Sequence, residues 1–140
     1  MQKRMRGIIS FVLVFLLAFS MPLTALAEEY DLAQGSVTVN AKTDGTYVTQ
    51  VGGVTNEKQT TDTVITQSTD TATTNKITVN ASSGVDVEVT IEDVNINATS
   101  GAAMSVSRGE GSSVTVELEG DNTLTSGGRS AGLQTSGSGE

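Results

Sequence analysis

The chain has 140 residues and a formal net charge of −8, and it contains no cysteine, histidine or tryptophan. A negative chain repels nucleic acid and anionic membranes, so both are excluded as partners. The absence of Cys and His also excludes a disulfide framework and the common nucleophile–base pairs of enzymes. We therefore expect no catalysis within these residues, and a fold stabilised by packing and backbone hydrogen bonds.

The first 27 residues have the three parts of a secretory signal peptide. Basic residues occupy positions 3, 4 and 6, an apolar stretch covers 8–19, and Ala25 with Ala27 forms a small-residue cleavage pattern. An uncleaved membrane anchor is the competing interpretation, because the uncharged stretch is just long enough to span a bilayer. The cleavage pattern favours the signal peptide. We expect a secreted or cell-surface protein whose mature form does not span a membrane.

Removal of residues 1–27 changes the charge of the chain. It leaves 140 minus 27, or 113, residues, which suits one small domain. Three of the eight basic residues are lost, and the remaining five minus all 16 acidic residues give a net charge of −11. Such a charge favours cations or basic partners.

Residues 28–75 are polar and rich in threonine, and we interpret them as an N-terminal cap region. Within them, Gly52 and Gly53 separate two short β-type runs and predict a hairpin. The stretch 60–75 is open to two interpretations. Its Ser and Thr content fits a flexible linker, whereas the hydrophobic pair at 64–65 favours a strand.

From residue 76 onward, apolar and polar residues alternate. Val85, Val87, Val89 and Ile91 follow one another at every second position, which is the pattern of a half-buried strand. No helical periodicity occurs after residue 32. The sequence therefore predicts an all-β fold.

Two segments of this region are nearly the same phrase. Residues 85–97 read VDVEVTIEDVNIN and residues 114–125 read VTVELEGDNTLT. Val87 matches Val114 at a spacing of 27, and later matches drift to 29. A period of this length, made of strands and Gly/Ser/Asn turns, predicts a solenoid in which each repeat buries the apolar side of its neighbour.

A weaker echo lies earlier in the chain. Residues 37–45 read VTVNAKTDG and residues 77–85 read ITVNASSGV, which places them 40 residues apart. Because this spacing is far from 27 to 29, we do not count the pair as a repeat.

These residues carry a resemblance to a known family. The pattern V-x-V-x-I/L-x-[DG]-x-N, followed by G-A-A-M or S-A-G-L, resembles right-handed parallel β-helix proteins of Gram-positive cell surfaces, especially the carbohydrate-binding domain-containing proteins. The resemblance covers 77–140 and implies a right-handed parallel β-helix with its first rungs over 76–140. It also implies binding of polysaccharide, including acidic pectin-type chains, with calcium. No ligand-binding set matches, so the carbohydrate-binding residues are not identified. No terminal cap is recognisable, so we expect further rungs after residue 140.

Acidic residues recur one repeat apart and form the candidate metal site. Glu92 is matched by Glu119, and Asp93 and Asp121 follow them. Stacked carboxylates repel one another unless a hard cation such as Ca²⁺ bridges their oxygens. A solvated acidic surface is the simpler interpretation. Both remain open.

Asparagines recur at the same spacing. Asn95 and Asn122 are 27 residues apart at a predicted corner, which favours a structural side-chain ladder over a polar ligand site.

Three functions fit the sequence. The leading one is a noncatalytic carbohydrate-binding β-helix that binds acidic polysaccharide with the help of calcium. The second is a structural or adhesive surface stalk. The third is the N-terminal part of a polysaccharide lyase or hydrolase whose site lies downstream.

Overall fold

The structure is a computed structural model that describes residues 27–137. Within this range the chain is all-β, as predicted, with twelve strands and no helix. No helix capable of crossing a membrane therefore occurs among the described residues. The predicted signal peptide, including Ala25, lies outside them, except for Ala27.

The twelve strands are short and are joined by turns. Their bounds are β1 Glu28–Asp31, β2 Val37–Lys42, β3 Gly45–Gln50, β4 Glu57–Lys58, β5 Thr63–Thr66, β6 Ile77–Ala81, β7 Val87–Glu92, β8 Asn95–Asn97, β9 Met104–Arg108, β10 Val114–Glu119, β11 Thr123–Thr125 and β12 Leu133–Gly137. Most of them alternate Val or Ile with Thr, Ser, Asn or Glu, which suits a pleated surface with one buried side.

The strands form three sheets in which parallel pairing dominates. A four-stranded sheet has the order β1-β5-β7-β10, and all its strands are parallel. A two-stranded parallel sheet consists of β8 and β11. A six-stranded sheet has the order β12-β9-β6-β2-β3-β4. Its first four strands are parallel, and β3 and β4 join them in antiparallel orientation.

The predicted repeat is confirmed by the pairing register. Val114 lies beside Val87 in the four-stranded sheet. Leu133 lies beside Met104 in the six-stranded sheet, so the spacing grows from 27 to 29 along the repeat. Each copy thus places its strands against the equivalent strands of the copy before it.

The exclusion of the 40-residue echo is wrong. Strand β2 pairs in parallel with β6, with Val37 beside Ile77 and Ala41 beside Ala81. The longer spacing arises because β3, β4 and β5 lie between the two strands in the chain. Parallel strands therefore extend into the region 28–75, which we interpreted as a cap.

The hairpin at Gly52 and Gly53 is present, but its return strand starts later than predicted. The chain reverses there through a hydrogen bond from Gly53 N to Gln50 O of 3.1 Å, and Gly52 has a φ of 84°. The antiparallel partner of β3 is β4, not residues 54–55. The stretch 60–75 contains β5, which decides between the two interpretations in favour of a strand.

The core lies between the inward sides of the sheets. Its fully buried side chains are mainly valine and isoleucine from the parallel strands, among them Val39, Val79, Val89, Ile91 and Ile96. Burial alternates along these strands, so each strand has one side facing the core and one facing solvent.

Candidate functional site

The four predicted calcium ligands come together in two pairs. Glu92 lies directly beside Glu119 in the register of β7 and β10. In the following turn, Asp93 accepts a hydrogen bond from Asp121 N to its Oδ1 at 2.8 Å. Asp93 has a left-handed φ of 51°. A side chain at Gly120 would collide with Asp93, because a Cβ there would lie 2.1 Å from Oδ1.

These residues belong to a wider acidic surface, which we call the acidic face. It is the outward side of the four-stranded sheet, where the alternation of its strands places six carboxylates and no basic residue: Glu29, Asp31, Glu88, Glu92, Glu117 and Glu119. Across residues 27–137, no three carboxylates converge closely enough to hold a metal ion by themselves. The acidic face is therefore an extended row of negative charge without a formed metal centre in the described part of the chain.

Three aspartates tie successive layers of strands together. Asp31 accepts hydrogen bonds from Ser68 N at 3.0 Å and from Ser68 Oγ at 2.7 Å. These bonds hold the pKa of Asp31 down at about 2, against the opposing effect of partial burial. Asp86 accepts the same two bonds from Ser113, which lowers its pKa for the same reason. Asp93 follows the pattern with the backbone of the next layer, so these carboxylates have a structural role.

The predicted ladder residues do not lie at the same level. Asn95 lies beside Thr123, because the spacing has grown to 28 at this point. Asn122 Oδ1 accepts a hydrogen bond from Val94 N at 3.1 Å, and its Nδ2 donates to Glu119 O at 2.8 Å. Asn95 Nδ2 donates to Asp70 O at 3.3 Å. Both side chains therefore stabilise backbone groups at the corner.

An asparagine ladder does occur at another position. Asn80 Nδ2 donates to Asn40 Oδ1 at 2.9 Å on the outward side of the six-stranded sheet. The VTVN and ITVN phrases of the excluded echo contain this pair, so the signal was present in the sequence.

These asparagines are part of a surface that we call the polar ladder. It consists of two columns of uncharged side chains that cross four parallel strands: Thr38, Thr78, Ser105 and Gln134 in one column, and Asn40, Asn80, Ser107 and Ser136 in the other. Adjacent members of a column are about 4.8 Å apart, the distance between hydrogen-bonded strands. The polar ladder therefore presents a regular array of hydroxyl and amide groups.

An aromatic side chain borders the polar ladder. Tyr47 lies beside Asn40, and its hydroxyl donates to Asp44 Oδ2 at 3.0 Å. The ammonium groups of Lys42 and Lys58 lie 5.1 and 5.9 Å from the centre of its ring. Charge is thus segregated, with cations beside the polar ladder and carboxylates on the acidic face.

No protein-family model matches the chain, and no curated protein and no solved structure is similar to it.

Proposed function

We propose that the chain is an exported, noncatalytic carbohydrate-binding protein, and that its polar ladder binds polysaccharide. The observation that carries this proposal is the pair of uncharged columns across β2, β6, β9 and β12. Hydroxyl and amide groups donate and accept hydrogen bonds, as the hydroxyl groups of sugars do. Because the columns are open and repeat at a constant distance, they suit a polymer better than a small molecule.

The architecture we propose for this function is a right-handed parallel β-helix. The parallel pairing of each copy with its predecessor, at spacings of 27 to 29, supports it. In such an architecture, equivalent side chains of successive rungs stand above one another, so each added rung lengthens the binding surface.

A polysaccharide on the polar ladder would have an aromatic neighbour. Tyr47 supports the proposal because tyrosine offers an apolar ring and a polar hydroxyl to a sugar. Its position beside Asn40 places both kinds of contact at the same edge of the surface.

Calcium-assisted binding of acidic polysaccharide by the acidic face is a second candidate. The observation that favours it is the pairing of Glu92 with Glu119 in register. Like charges at this distance destabilise a sheet, and Ca²⁺ would relieve the repulsion while keeping coordination positions for ligand carboxylates. Asp93 and Asp121 would add oxygens nearby.

Affinity gel electrophoresis of the full chain separates the two candidates. Neutral and acidic polysaccharides are cast into native gels with calcium or with EDTA. Retardation that persists in EDTA supports the polar ladder. Retardation by polygalacturonate that EDTA removes, and that Glu92→Gln with Glu119→Gln weakens, supports the acidic face. Free migration in every gel would overturn both and leave the structural stalk as the proposed function.

A further inference from the structure

One end of the core is polar where the rest is apolar. Strands β1 and β4 are edge strands of the four-stranded and six-stranded sheets. Between them lies an open cleft of about 330 Å³, lined by Glu28, Glu29, Tyr30, Gln50, Val54 and Glu57. We call Glu28, Tyr30, Glu57 and Gln59 the end cluster.

The end cluster is held together by hydrogen bonds around a buried phenol. Tyr30, only 4% exposed, donates from its hydroxyl to Glu57 Oε2 at 3.2 Å. The same hydroxyl accepts a bond from Gln59 Nε2 at 2.7 Å, and Nε2 also donates to Glu57 O at 3.3 Å. Thr60 Oγ1 donates to Glu28 Oε1 at 3.1 Å.

Two oxygens of the end cluster have no partner. Among the described residues, the buried side-chain atoms without a hydrogen bond are Glu28 Oε2 and Gln59 Oε1. Gln59 itself is only 9% exposed. Leaving a buried polar atom unpaired costs roughly 1–3 kcal/mol. Both atoms are acceptors, so the missing partner is a hydrogen-bond donor or a cation.

The charges of the end cluster favour a cation. Glu28 and Glu57 contribute two carboxylates to one cleft. The neighbouring cation does not neutralise them, because Lys58 directs its ammonium group to the ring of Tyr47 on the other side of the strand. An array of carboxylate, amide and phenol oxygens is the donor set of a hard cation.

We propose that the end cluster binds Ca²⁺, with the carboxylates of Glu28 and Glu57 and the amide oxygen of Gln59 as ligands. Ca²⁺ accepts six to eight oxygens from carboxylates, amides and water, and it tolerates irregular geometry. Two carboxylates make a site of low charge, so we expect a Kd of about 10⁻⁴ to 10⁻³ M, as in extracellular modules. This site is distinct from the acidic face and does not depend on polysaccharide binding.

Terbium luminescence tests the site directly. Tb³⁺ takes calcium positions and emits when a nearby aromatic ring transfers its excitation, and the chain has two tyrosines and no tryptophan. Excitation of the full chain should give Tb³⁺ emission that Ca²⁺ displaces. Tyr30→Phe should abolish the emission, whereas Tyr47→Phe, which removes the other donor, should preserve it.

Carboxylate variants then locate the ligands. Glu57→Gln keeps an acceptor for Tyr30 and should weaken Ca²⁺ binding roughly tenfold. Glu92→Gln with Glu119→Gln is the matched control on the acidic face and should leave the affinity unchanged. Gln59→Glu adds a charge to the same position and should tighten binding, a gain that misfolding cannot produce.

Several results would overturn the proposal. It fails if Tb³⁺ emission is absent, if Tyr47→Phe removes it instead of Tyr30→Phe, or if only the acidic-face variants change the affinity. It also fails if Ca²⁺ does not bind because water or the ammonium group of a processed N-terminus already satisfies the two oxygens.

Discussion

Asn80 donates a hydrogen bond from Nδ2 to Oδ1 of Asn40 at 2.9 Å, and the two residues are 40 positions apart on adjacent parallel strands. The bond joins an N-terminal strand to the repeat region at the centre of the polar ladder. A side-chain hydrogen bond of this kind contributes about 1 kcal/mol to stability.

A double-mutant cycle measures that bond. Asn40→Ala and Asn80→Ala should each lower the free energy of unfolding by about 1 kcal/mol, and the double variant should lose less than the sum of the two. Ser107→Ala, the next position in the same column, is the control and should not couple to Asn40. Urea unfolding followed by circular dichroism gives the values. Additive losses would show that the two asparagines do not interact.

The alternation of buried and exposed positions on β7 predicts opposite responses at neighbouring residues. Val89 is fully buried, whereas Glu88 is exposed. Val89→Asp places an unpaired charge in the core and should abolish cooperative folding. Glu88→Lys should change stability by less than about 0.5 kcal/mol. Thermal melts compare the two, and similar losses at both positions would contradict the assignment of the inward side.

Acid should weaken the tie between Asp31 and Ser68. The folded pKa of Asp31 is lowered to about 2, below its value in an unfolded chain. Its carboxylate therefore stabilises the fold above about pH 4, and this contribution is lost as the pH falls toward 2. Because the group is largely exposed, we expect only about 1 kcal/mol at neutral pH.

Melting temperatures against pH test this contribution. Asp31→Asn should melt below the wild type at neutral pH, and the difference should shrink as the pH falls through the window from about 4 to 2. Ser68→Ala should reproduce part of the loss, since it removes the 2.7 Å bond and keeps the backbone bond. A difference that is constant with pH would exclude the carboxylate as its cause.

The exposed edge of the last strands should cause self-association. Leu118 is 66% exposed and Leu133 is 46% exposed, and both belong to strands with one unpaired edge. Such edges pair with strands of other chains. Leu118→Lys with Leu133→Lys should increase the monomer fraction in sedimentation velocity. Val51→Lys is the control, because Val51 is equally exposed, at 66%, but lies in a turn. Equal effects of the two changes would show that the edge is not the contact.

The sequence predicted the parallel pairing where successive copies have nearly the same length. Val87 beside Val114 and Met104 beside Leu133 follow from spacings of 27 and 29. It did not predict the pairing of β2 with β6, because the three strands between them lengthen the spacing to 40. A search limited to one period misses a parallel pair that encloses an excursion of the chain.

The corner asparagines failed for a smaller reason of the same kind. The turn after Glu119 has one more residue than the turn after Glu92, so the register changes from 27 to 28 before Thr123. Asn122 therefore binds the backbone of Val94 and does not lie beside Asn95. Spacing alone cannot locate such an insertion within a turn.

The end cluster had no signal in the sequence. Glu28, Glu57 and Gln59 share no motif or period, and only the fold of β1 against the β4 region brings them together around Tyr30. Their significance comes from two unpaired oxygens, which are a property of the three-dimensional arrangement.

Binding of polysaccharide by matched variants of the two outward surfaces tests the proposed function most directly. Thr78 belongs to the polar ladder and Thr90 to the outward side of the four-stranded sheet, and both are half-buried residues of parallel strands. In EDTA, affinity gels of the polysaccharide that most retards the wild type should show retardation lost by Thr78→Glu and kept by Thr90→Glu. Retardation that survives Thr78→Glu, or that only Thr90→Glu removes, would contradict binding by the polar ladder.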